Sequence, residues 1–252
     1  MIEIATIVIG GAHGIGRACV EEFRAEGPVW VLDIDAAAGE ELARDSGNGV
    51  RFVPCDARGE AEVEAAARAI AASGSAPARL VYTAGIAPLR GFGEVDAAIF
   101  RDIFETNVLG AALCVKHLAP LFPAAGGSVV FVSSVSARVG FAELSLYCAS
   151  KAALGGLARG LVPELARHAI RINVIEPTMV ETRMMEGELR AREALGQGAA
   201  DELAVQFAAS QPIPRFAKPA EIARLCRLVC DGSLGLMTGA AIPYDGGLLA
   251  TR

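Results

Sequence analysis

Long hydrophobic runs are absent from this sequence of 252 residues. Its apolar stretches, such as Ile4 to Ile9 and Val129 to Val132, are far shorter than the roughly 20 residues that span a bilayer. The start, MIEIATIVIGG, also lacks the basic segment and the small-residue cleavage site of a signal peptide. We therefore predict a cytoplasmic protein with no membrane partner.

Histidine is scarce, and the cysteines lack the spacing of a metal or disulfide framework. The three histidines lie far apart, and no CxxC pair occurs among the six cysteines. We predict no metal site and reduced, mostly buried thiols. Cys226 and Cys230 lie four residues apart and are expected to share the apolar face of a helix.

Positive charge is limited as well. Lysine and arginine total 23 against 29 acidic residues, which gives a net charge of -6, and no basic run occurs. This distribution argues against a nucleic-acid partner.

Hydrophobic residues, in contrast, are plentiful: they make up 53% of the chain, enough for a sizeable core. Because no repeat or linker is evident, we predict one domain over residues 1–252.

Apolar, strand-like runs alternate with Ala-rich segments that are long enough for crossover helices, such as 57–72 and 96–118. Continuous apolar strands with helices between them are typical of a parallel sheet covered on both faces. The expected fold class is α/β, a doubly wound and mostly parallel seven-stranded sheet of the Rossmann type. The predicted strands are Ile4 to Ile9, Val29 to Asp33, Val50 to Pro54, Leu80 to Thr83, Ser128 to Ser133, Arg171 to Ile175 and Ala240 to Pro243.

A glycine-rich turn, GGAHGIGR from Gly10 to Arg17, follows the first predicted strand and precedes a helix-like stretch that runs to about Ala25. Glycines in this position let the backbone approach a pyrophosphate at the helix N-terminus. The second strand ends in Asp33, where an acidic residue would bind the ribose hydroxyls and repel the extra phosphate of NADP. The pattern therefore favours NAD over NADP, although Asp33 could also be a solvated residue at a strand end.

Tyr147 and Lys151 lie four positions apart in LYCASK, at residues 146–151. On a helix this spacing places both side chains on one face. A nearby ammonium group favours the phenolate and lowers the pKa of a tyrosine, which suits proton exchange with an alcohol or a carbonyl. The two residues could equally be surface neighbours, because such pairs also occur by chance.

Several motifs occur together in an order that resembles the short-chain dehydrogenase/reductase family over nearly the whole chain. They are GGAHGIG at 10–16, Asp56 after the third strand, TAG at 83–85, Asn107 in NVLG, Ser133-Ser134, YCASK at 147–151, PTMVET at 177–182 and DGG at 245–247. The order and spacing of the motifs are much more specific than any one of them.

This resemblance implies roles for the matching residues. Ser134 would hydrogen-bond the substrate oxygen and Tyr147 would be the general acid/base. Lys151 would bind the nicotinamide ribose and lower the phenol pKa, and Asn107 would hold a water of the proton relay. The expected substrate contacts are Ser134, Ser136, Tyr147 and Met184. The expected cofactor contacts are Gly10, His13, Gly14, Ile15, Gly16, Asp33, Ile34, Asp56, Ala57, Ala84, Gly85, Tyr147, Lys151, Pro177, Val180 and Thr182.

Two departures from the family pattern concern the loops around the nucleotide. Ile9 stands where the family usually has a threonine, and Tyr82-Thr83 replaces the usual Asn-Asn. Because the usual side chains tie these loops together, we expect nucleotide affinity to be weaker than is typical of the family.

Two further departures lie in the second half of the chain. Glu176 stands where a small residue is expected; it could lie near the nicotinamide, or it could point outward and pair with an arginine, which we favour. Pro163 lies within the helix that begins near Tyr147 and is expected to kink it, at a cost of about 3 kcal/mol. The resemblance implies that this helix packs against a symmetry mate, so we expect a homodimer or homotetramer.

Substrate identity is poorly specified by the sequence. The resemblance implies that residues 183–211 form a mobile lid, in which Met184 and Met185 would either make an adaptable apolar wall or pack against the sheet. Arg138 could attract an anionic substrate or could be solvated. Other residues between the serine and the tyrosine that could shape the pocket are Ser136, Phe141, Glu143 and Leu144.

These features together predict an NAD-dependent oxidoreductase that interconverts a small to medium secondary alcohol and a ketone. Two alternatives remain open. One is an NADPH-dependent carbonyl reductase, against which Asp33 argues. The other is a non-catalytic dinucleotide sensor on the same fold, against which the presence of Asn107, Ser134, Tyr147 and Lys151 argues.

Overall fold

The computed structural model describes residues 4–252. Seven strands form one parallel sheet in the order β3-β2-β1-β4-β5-β6-β7, so the chain moves outward from β1 in both directions. The strands are β1 (Ile4–Ile9), β2 (Val29–Asp33), β3 (Val50–Pro54), β4 (Ala76–Tyr82), β5 (Gly127–Val132), β6 (Ile170–Pro177) and β7 (Ala241–Tyr244). The predicted doubly wound, seven-stranded parallel sheet is confirmed.

Helices cover both faces of this sheet. They are α1 (Gly14–Phe23), α2 (Ala36–Ser46), α3 (Glu60–Ala72), α4 (Ala97–Phe104), α5 (Gly110–Leu118), α6 (Ser145–Leu165), α7 (Arg183–Ala194), α8 (Ala200–Ala209) and α9 (Pro219–Cys230). A π-helical turn, Glu105–Leu109, joins α4 to α5. Side-chain oxygens cap several helices; Asp35, for example, accepts a hydrogen bond from the amide of Ala38 and begins α2.

Two apolar layers fill the space between sheet and helices, because successive side chains of a strand point to opposite faces. One layer contains Ile7, Leu80 and Phe131 together with buried residues of α3, α5 and α6. The other contains Val8 and Val130 together with buried residues of α1, α2 and α9. The two layers leave the carboxyl ends of the strands open to the surface at one edge of the sheet.

Helix α6, which carries Tyr147 and Lys151, continues without interruption through Pro163 to Leu165. Pro163 therefore does not end the helix, and the expected kink stays a prediction. Pro163 lies in the last turn, where the helix is about to end: a left-handed residue, Ala169 at φ 55°, soon follows. A missing amide donor has less effect there than in a helix centre.

Five of the six cysteines are buried, and Cys148 is partly exposed. Cys226 and Cys230 lie on α9 and both pack in the same apolar layer, as their spacing predicted. Within residues 4–252, no helix combines the length and apolar character needed to cross a membrane.

Candidate active site

Two cavities open at the carboxyl edge of the sheet, on either side of the glycine turn. The first has a volume of about 290 Å³ and is bounded by the ends of β1 to β4; its lining includes Gly10, Asp33, Ile34, Asp56, Ala57 and Ala84. The second has a volume of about 130 Å³ and lies beyond β5 and β6; its lining includes Ile15, Ser134, Tyr147 and Thr182. In open parallel sheets, ligands bind at this edge, near the point where strand order reverses.

The glycine turn brings its backbone very close to the end of β4. Gly10 has φ 76°, and a Cβ at this position would lie 2.6 Å from the amide nitrogen of Ala84. The Thr83 hydroxyl donates to the carbonyl oxygens of Ile9 and Gly10, at 2.7 and 3.1 Å. A side-chain contact therefore ties these two loops together although the usual side chains are missing, and Thr83 makes it.

Asp33 is held at the end of β2 by two backbone amides. Its Oδ2 accepts from Ala12 at 2.9 Å and its Oδ1 from Asp35 at 3.0 Å. The side chain is partly exposed and lines the first cavity. A carboxylate oxygen has two lone pairs, so each oxygen can still accept from a ribose hydroxyl. The donors and acceptors present fit the adenosine half of a dinucleotide.

Other predicted nucleotide contacts are already engaged with protein partners. The Asp56 carboxylate is paired with Arg58, whose Nε lies 3.0 Å from both oxygens, and this guanidinium holds the Asp56 pKa below its ordinary value. His13 Nε2 lies 2.8 Å from Asp35 Oδ2. In both places a side chain of the protein already occupies the predicted contact: Arg58 pairs with Asp56, and His13 contacts Asp35.

The second cavity has an apolar wall from the segment after β6. Met184 and Met185 both line the cavity, so of the two roles left open by the sequence they form part of its wall. Phe207 of α8 lines it as well. Ser136, Phe141 and Leu144 line the opposite side, as expected. Glu143 does not line this cavity.

Lys151 is anchored to the end of β5 and is 5% exposed. Its Nζ donates to the carbonyl oxygen of Val132 at 3.0 Å, and the Ser133 hydroxyl donates to the Lys151 carbonyl at 2.8 Å. Burial lowers the pKa of the Lys151 ammonium to about 8. Ser133 therefore fixes the helix against the strand, and the next serine, Ser134, faces the cavity.

Tyr147 lies at the mouth of the second cavity with Nζ of Lys151 5.6 Å from the centre of its ring. The expected lowering of the phenol pKa by Lys151 is not found. Burial raises the Tyr147 pKa above its ordinary value, the Ser134 hydroxyl opposes this rise, and the Glu188 carboxylate adds to it. The ammonium group is directed to a strand carbonyl, which weakens its effect on the phenol.

Asn107 is fully buried in the π-helical turn and bonds the backbone of Ile86 through both ends of its amide, at 2.8 and 3.0 Å. A Cβ at Gly85 would lie 3.2 Å from Asn107 Oδ1 and 3.3 Å from Lys151 Nζ, so these two groups flank the same point. The Tyr82 hydroxyl donates to the carbonyl of Thr106 at 2.5 Å. Tyr82 thereby fixes the turn that presents Asn107, a contact that sequence reasoning missed.

Glu176 is 4% exposed and does not point outward. Its Oε2 lies 2.6 Å from Nε of Arg138, which also donates to the carbonyl of Ala241 at 3.1 Å. The expected arginine partner is present, but the pair is directed toward β7. Neither Arg138 nor Glu176 lines the second cavity, so the proposed attraction of an anionic substrate by Arg138 is not supported.

Helices α7 and α8 are held over the site by one buried arginine that the sequence analysis did not identify. Arg192, 5% exposed, donates to Glu188 Oε1 at 3.0 Å and to Glu143 Oε2 at 3.0 Å. It also contacts Gln197 at 3.1 Å, and its guanidinium lies 5.4 Å from the ring centre of Phe207. In the sequence, only Glu188 and Arg192 have the four-residue spacing of a helical ion pair; the other contacts of Arg192 have no such pattern.

The structure thus brings Ser134, Tyr147 and Met184 to one cavity, with Lys151 directly behind the tyrosine. In residues 4–252, no group of three or more His, Cys, Asp or Glu side chains is arranged to hold a metal ion. The arrangement supplies hydroxyl groups that can bind and exchange protons with a carbonyl or an alcohol, beside a loop suited to a nucleotide pyrophosphate.

Comparison with known proteins agrees with this class of site. The family model described as Enoyl-(Acyl carrier protein) reductase matches residues 10–249, which is nearly the whole chain. The chain belongs to the short-chain dehydrogenase/reductase family and is an oxidoreductase of that family.

Two curated relatives act on ring alcohols by their names. Cis-4-hydroxycyclohexanecarboxylate dehydrogenase of Sinomonas cyclohexanicum is 33% identical over 98% of this chain and 97% of its own length. 2,5-Dichloro-2,5-cyclohexadiene-1,4-diol dehydrogenase of Sphingobium indicum is 33% identical over 97% of this chain and 96% of its own length. Among solved structures, the aldohexose dehydrogenase of Thermoplasma acidophilum has a TM-score of 0.87 at 25% identity, over 99% of this chain and 95% of that one.

Proposed function

We propose that this protein is an NAD-dependent dehydrogenase that oxidises a cyclic secondary alcohol to a ketone, with Tyr147 as the general base. The main support is that Ser134 and Tyr147 line one cavity at the carboxyl edge of the sheet, with Lys151 Nζ 5.6 Å from the centre of the Tyr147 ring. The ring alcohols in the names of the two curated relatives support the substrate class.

The side chains can divide the proton chemistry between them. Ser134 would donate a hydrogen bond to the oxygen of the substrate, and Tyr147 would accept the hydroxyl proton as the carbon is oxidised. Lys151 would bind the nicotinamide ribose, and Asn107 would keep the end of β4 in place through Ile86. When bound, NAD supplies the hydride acceptor, and the protein supplies orientation and proton transfer.

The residues of the first cavity fit NAD better than NADP. Asp33 is fixed at the end of β2, where it would meet the ribose, Ile34 beside it is exposed and apolar, and Arg58 is engaged by the carboxylate of Asp56. A second phosphate at this ribose would meet the carboxylate of Asp33. Ala57 and Ala84 leave room for the adenine, while Pro177, Val180 and Thr182 would hold the nicotinamide end.

We further propose that residues 183–211 move as a unit to admit the substrate. Helices α7 and α8 carry exposed apolar side chains at Met184 and Val205, and their contacts with the rest of the site are concentrated on Arg192. A segment with few buried contacts opens at a lower free energy than the strands beside it.

Two alternatives are distinguished by direct tests. A carbonyl reductase would bind NADPH more tightly than NADH, and Asp33 argues against this preference. A non-catalytic sensor would bind a dinucleotide without turnover, and it would have no requirement for an ionisable phenol next to a buried lysine.

Titration of the protein with NADH and with NADPH, followed by nicotinamide fluorescence, tests the cofactor assignment. We expect tighter binding of NADH. In Asp33→Ala the ratio of the two dissociation constants should fall about tenfold, because one unit of charge repulsion of about 1.4 kcal/mol is removed. Asp45→Ala, at an exposed position near the end of α2, is the matched control. An unchanged ratio in Asp33→Ala would mean that Asp33 does not face the ribose.

A further inference from the structure

The second cavity carries one charged side chain among the residues that line it within the described chain, and that side chain is Glu188. The rest of the lining is apolar or hydroxylic. Arg138, which the sequence offered as a cation for an anionic substrate, is paired with Glu176 and lies outside the lining. The electrostatic character of this cavity therefore depends on how completely Glu188 is neutralised.

Within residues 4–252, Glu188 shares the cation that it pairs with, Arg192, with a second carboxylate. Arg192 donates to Glu188 through Nε at 3.0 Å, with Nη2 2.9 Å from the same oxygen, and to Glu143 through Nη1 at 3.0 Å. Two carboxylates and one guanidinium leave the cluster with one net negative charge. The side chains are 16%, 25% and 6% exposed for Glu188, Glu143 and Arg192, so water screens this charge incompletely.

The two contacts from Arg192 to Glu188 both go to Oε1. Within residues 4–252, Oε2 accepts no hydrogen bond, and it remains available to a donor in the cavity. Most hydroxyl groups of the lining are engaged: Thr178 donates to Gln211 at 2.7 Å, and Ser210 donates to the carbonyl of Phe207 at 2.7 Å. A ligand with a second polar group would therefore meet Glu188 as the strongest acceptor in the wall.

We propose that Glu188 selects the substrate by charge: the cavity takes a neutral alicyclic alcohol whose second polar group donates a hydrogen bond, and it disfavours one that carries a carboxylate. This inference rests on the proposed function, because it assumes that the alcohol occupies this cavity. A ring alcohol can carry a second hydroxyl or amide group, or it can carry a carboxylate. Glu188 would favour the first kind of substrate over the second.

The test compares 4-hydroxycyclohexanecarboxamide with 4-hydroxycyclohexanecarboxylate, which have nearly the same shape and differ in charge and in donor capacity. We expect kcat/KM with NAD to be at least about tenfold higher for the amide, because juxtaposed like charges cost several kcal/mol in a partly buried site. In Glu188→Gln the ratio should approach one. Gln keeps an acceptor for Arg192, so the variant changes the charge with little change in packing.

The matched control is Glu186→Gln, on the same helix but 59% exposed and outside the cavity lining. It should keep the preference of the wild type. Equal use of both compounds by the wild type, or an unchanged ratio in Glu188→Gln, would overturn the inference. Because both readings are ratios within one variant, a general loss of activity does not affect them.

Binding of the same two compounds, measured by calorimetry with and without NADH, separates this inference from the proposed function. If neither compound is oxidised but the amide binds more tightly than the carboxylate, the proposed function is wrong and the charge selection holds. If both bind equally, or neither binds, the charge selection is wrong.

Discussion

The two walls of the second cavity are held in place by different kinds of contact. The strand wall, formed by Ser133, Ser134, Tyr147 and Lys151, is tied to backbone: Lys151 donates to the carbonyl of Val132, and Ser133 to the carbonyl of Lys151. The helical wall, formed by α7 and α8, depends on side chains that bond other side chains, with Arg192 at their centre. The groups proposed for chemistry thus belong to the wall that the fold itself fixes.

This difference separates reaction from selection. A backbone carbonyl at the end of a strand is present whatever residue occupies that position, so the strand wall tolerates sequence change around it. The helical wall can be altered by single substitutions that leave the sheet intact.

The largest effect is expected from a change in the strand wall, Tyr147→Phe. Removal of the hydroxyl eliminates the proposed general base and should lower kcat about 10²- to 10⁴-fold, the range for loss of acid/base catalysis. The ring remains against Lys151, so NADH affinity should stay within about twofold. Such a change corresponds to less free energy than one hydrogen bond contributes. Steady-state rates and fluorescence titration measure both quantities. A variant with nearly normal turnover would contradict the mechanism.

A smaller effect, on a different constant, is expected from Arg192→Leu in the helical wall. The change leaves Glu143 and Glu188 close together without a cation, which should favour an open wall by about 1 to 3 kcal/mol, less than for fully buried pairs because both carboxylates are partly exposed. We expect KM to rise about 5- to 150-fold, the equivalent of that energy, while kcat changes less.

Hydrogen exchange over residues 183–209 should report the same loosening, with the strands unaffected. Arg190→Leu is the control, because Arg190 is 77% exposed and lies 4.0 Å from its nearest carboxylate. Unchanged KM and unchanged exchange in Arg192→Leu would show that this arginine does not hold the helical wall.

A further change tests whether backbone contacts also stabilise the nucleotide side. Thr83→Val removes the hydroxyl that joins β4 to the glycine turn and should weaken NADH binding about fivefold, the equivalent of about 1 kcal/mol. Thr83→Ser keeps the hydroxyl and should bind like the wild type. Equal affinity in all three proteins would mean that the turn does not need this tie.

The smallest effect concerns pH and links the two walls. Burial raises the Tyr147 pKa, so kcat/KM for alcohol oxidation should increase with pH above neutrality as the phenolate forms. The charged or polar groups facing the phenol are Ser134, Cys148, Lys151 and Glu188. Because Glu188 raises the Tyr147 pKa, Glu188→Gln should move this increase to lower pH. A profile that does not move would show that the two walls are electrostatically independent.

The sequence was sufficient to predict the sheet and the strand wall. Strands β1, β2 and β3 begin and end at the predicted residues, because a short apolar run bounded by turns is typical of a buried strand. Ser134 and Tyr147 were brought together by the resemblance to the short-chain dehydrogenase/reductase family, and both line the second cavity.

The helical wall could not be predicted in the same way. Glu143 and Arg192 are 49 positions apart, and no periodic pattern or motif connects them. Tyr82 was identified as a departure from the family pattern, but its partner, the carbonyl of Thr106, exists only because of the π-helical turn. Similarly, Glu176 was correctly expected to meet an arginine, while its burial depended on the packing of Arg138 against β7.

The most direct test of the central claim is the initial rate of NADH formation from NAD and cyclohexane-1,4-diol, measured in the wild type and in Tyr147→Phe. We expect a saturable rate and formation of the hydroxyketone in the wild type, and loss of that rate in the variant. NADH binding without NADH formation from this or any other cyclic secondary alcohol would contradict the account.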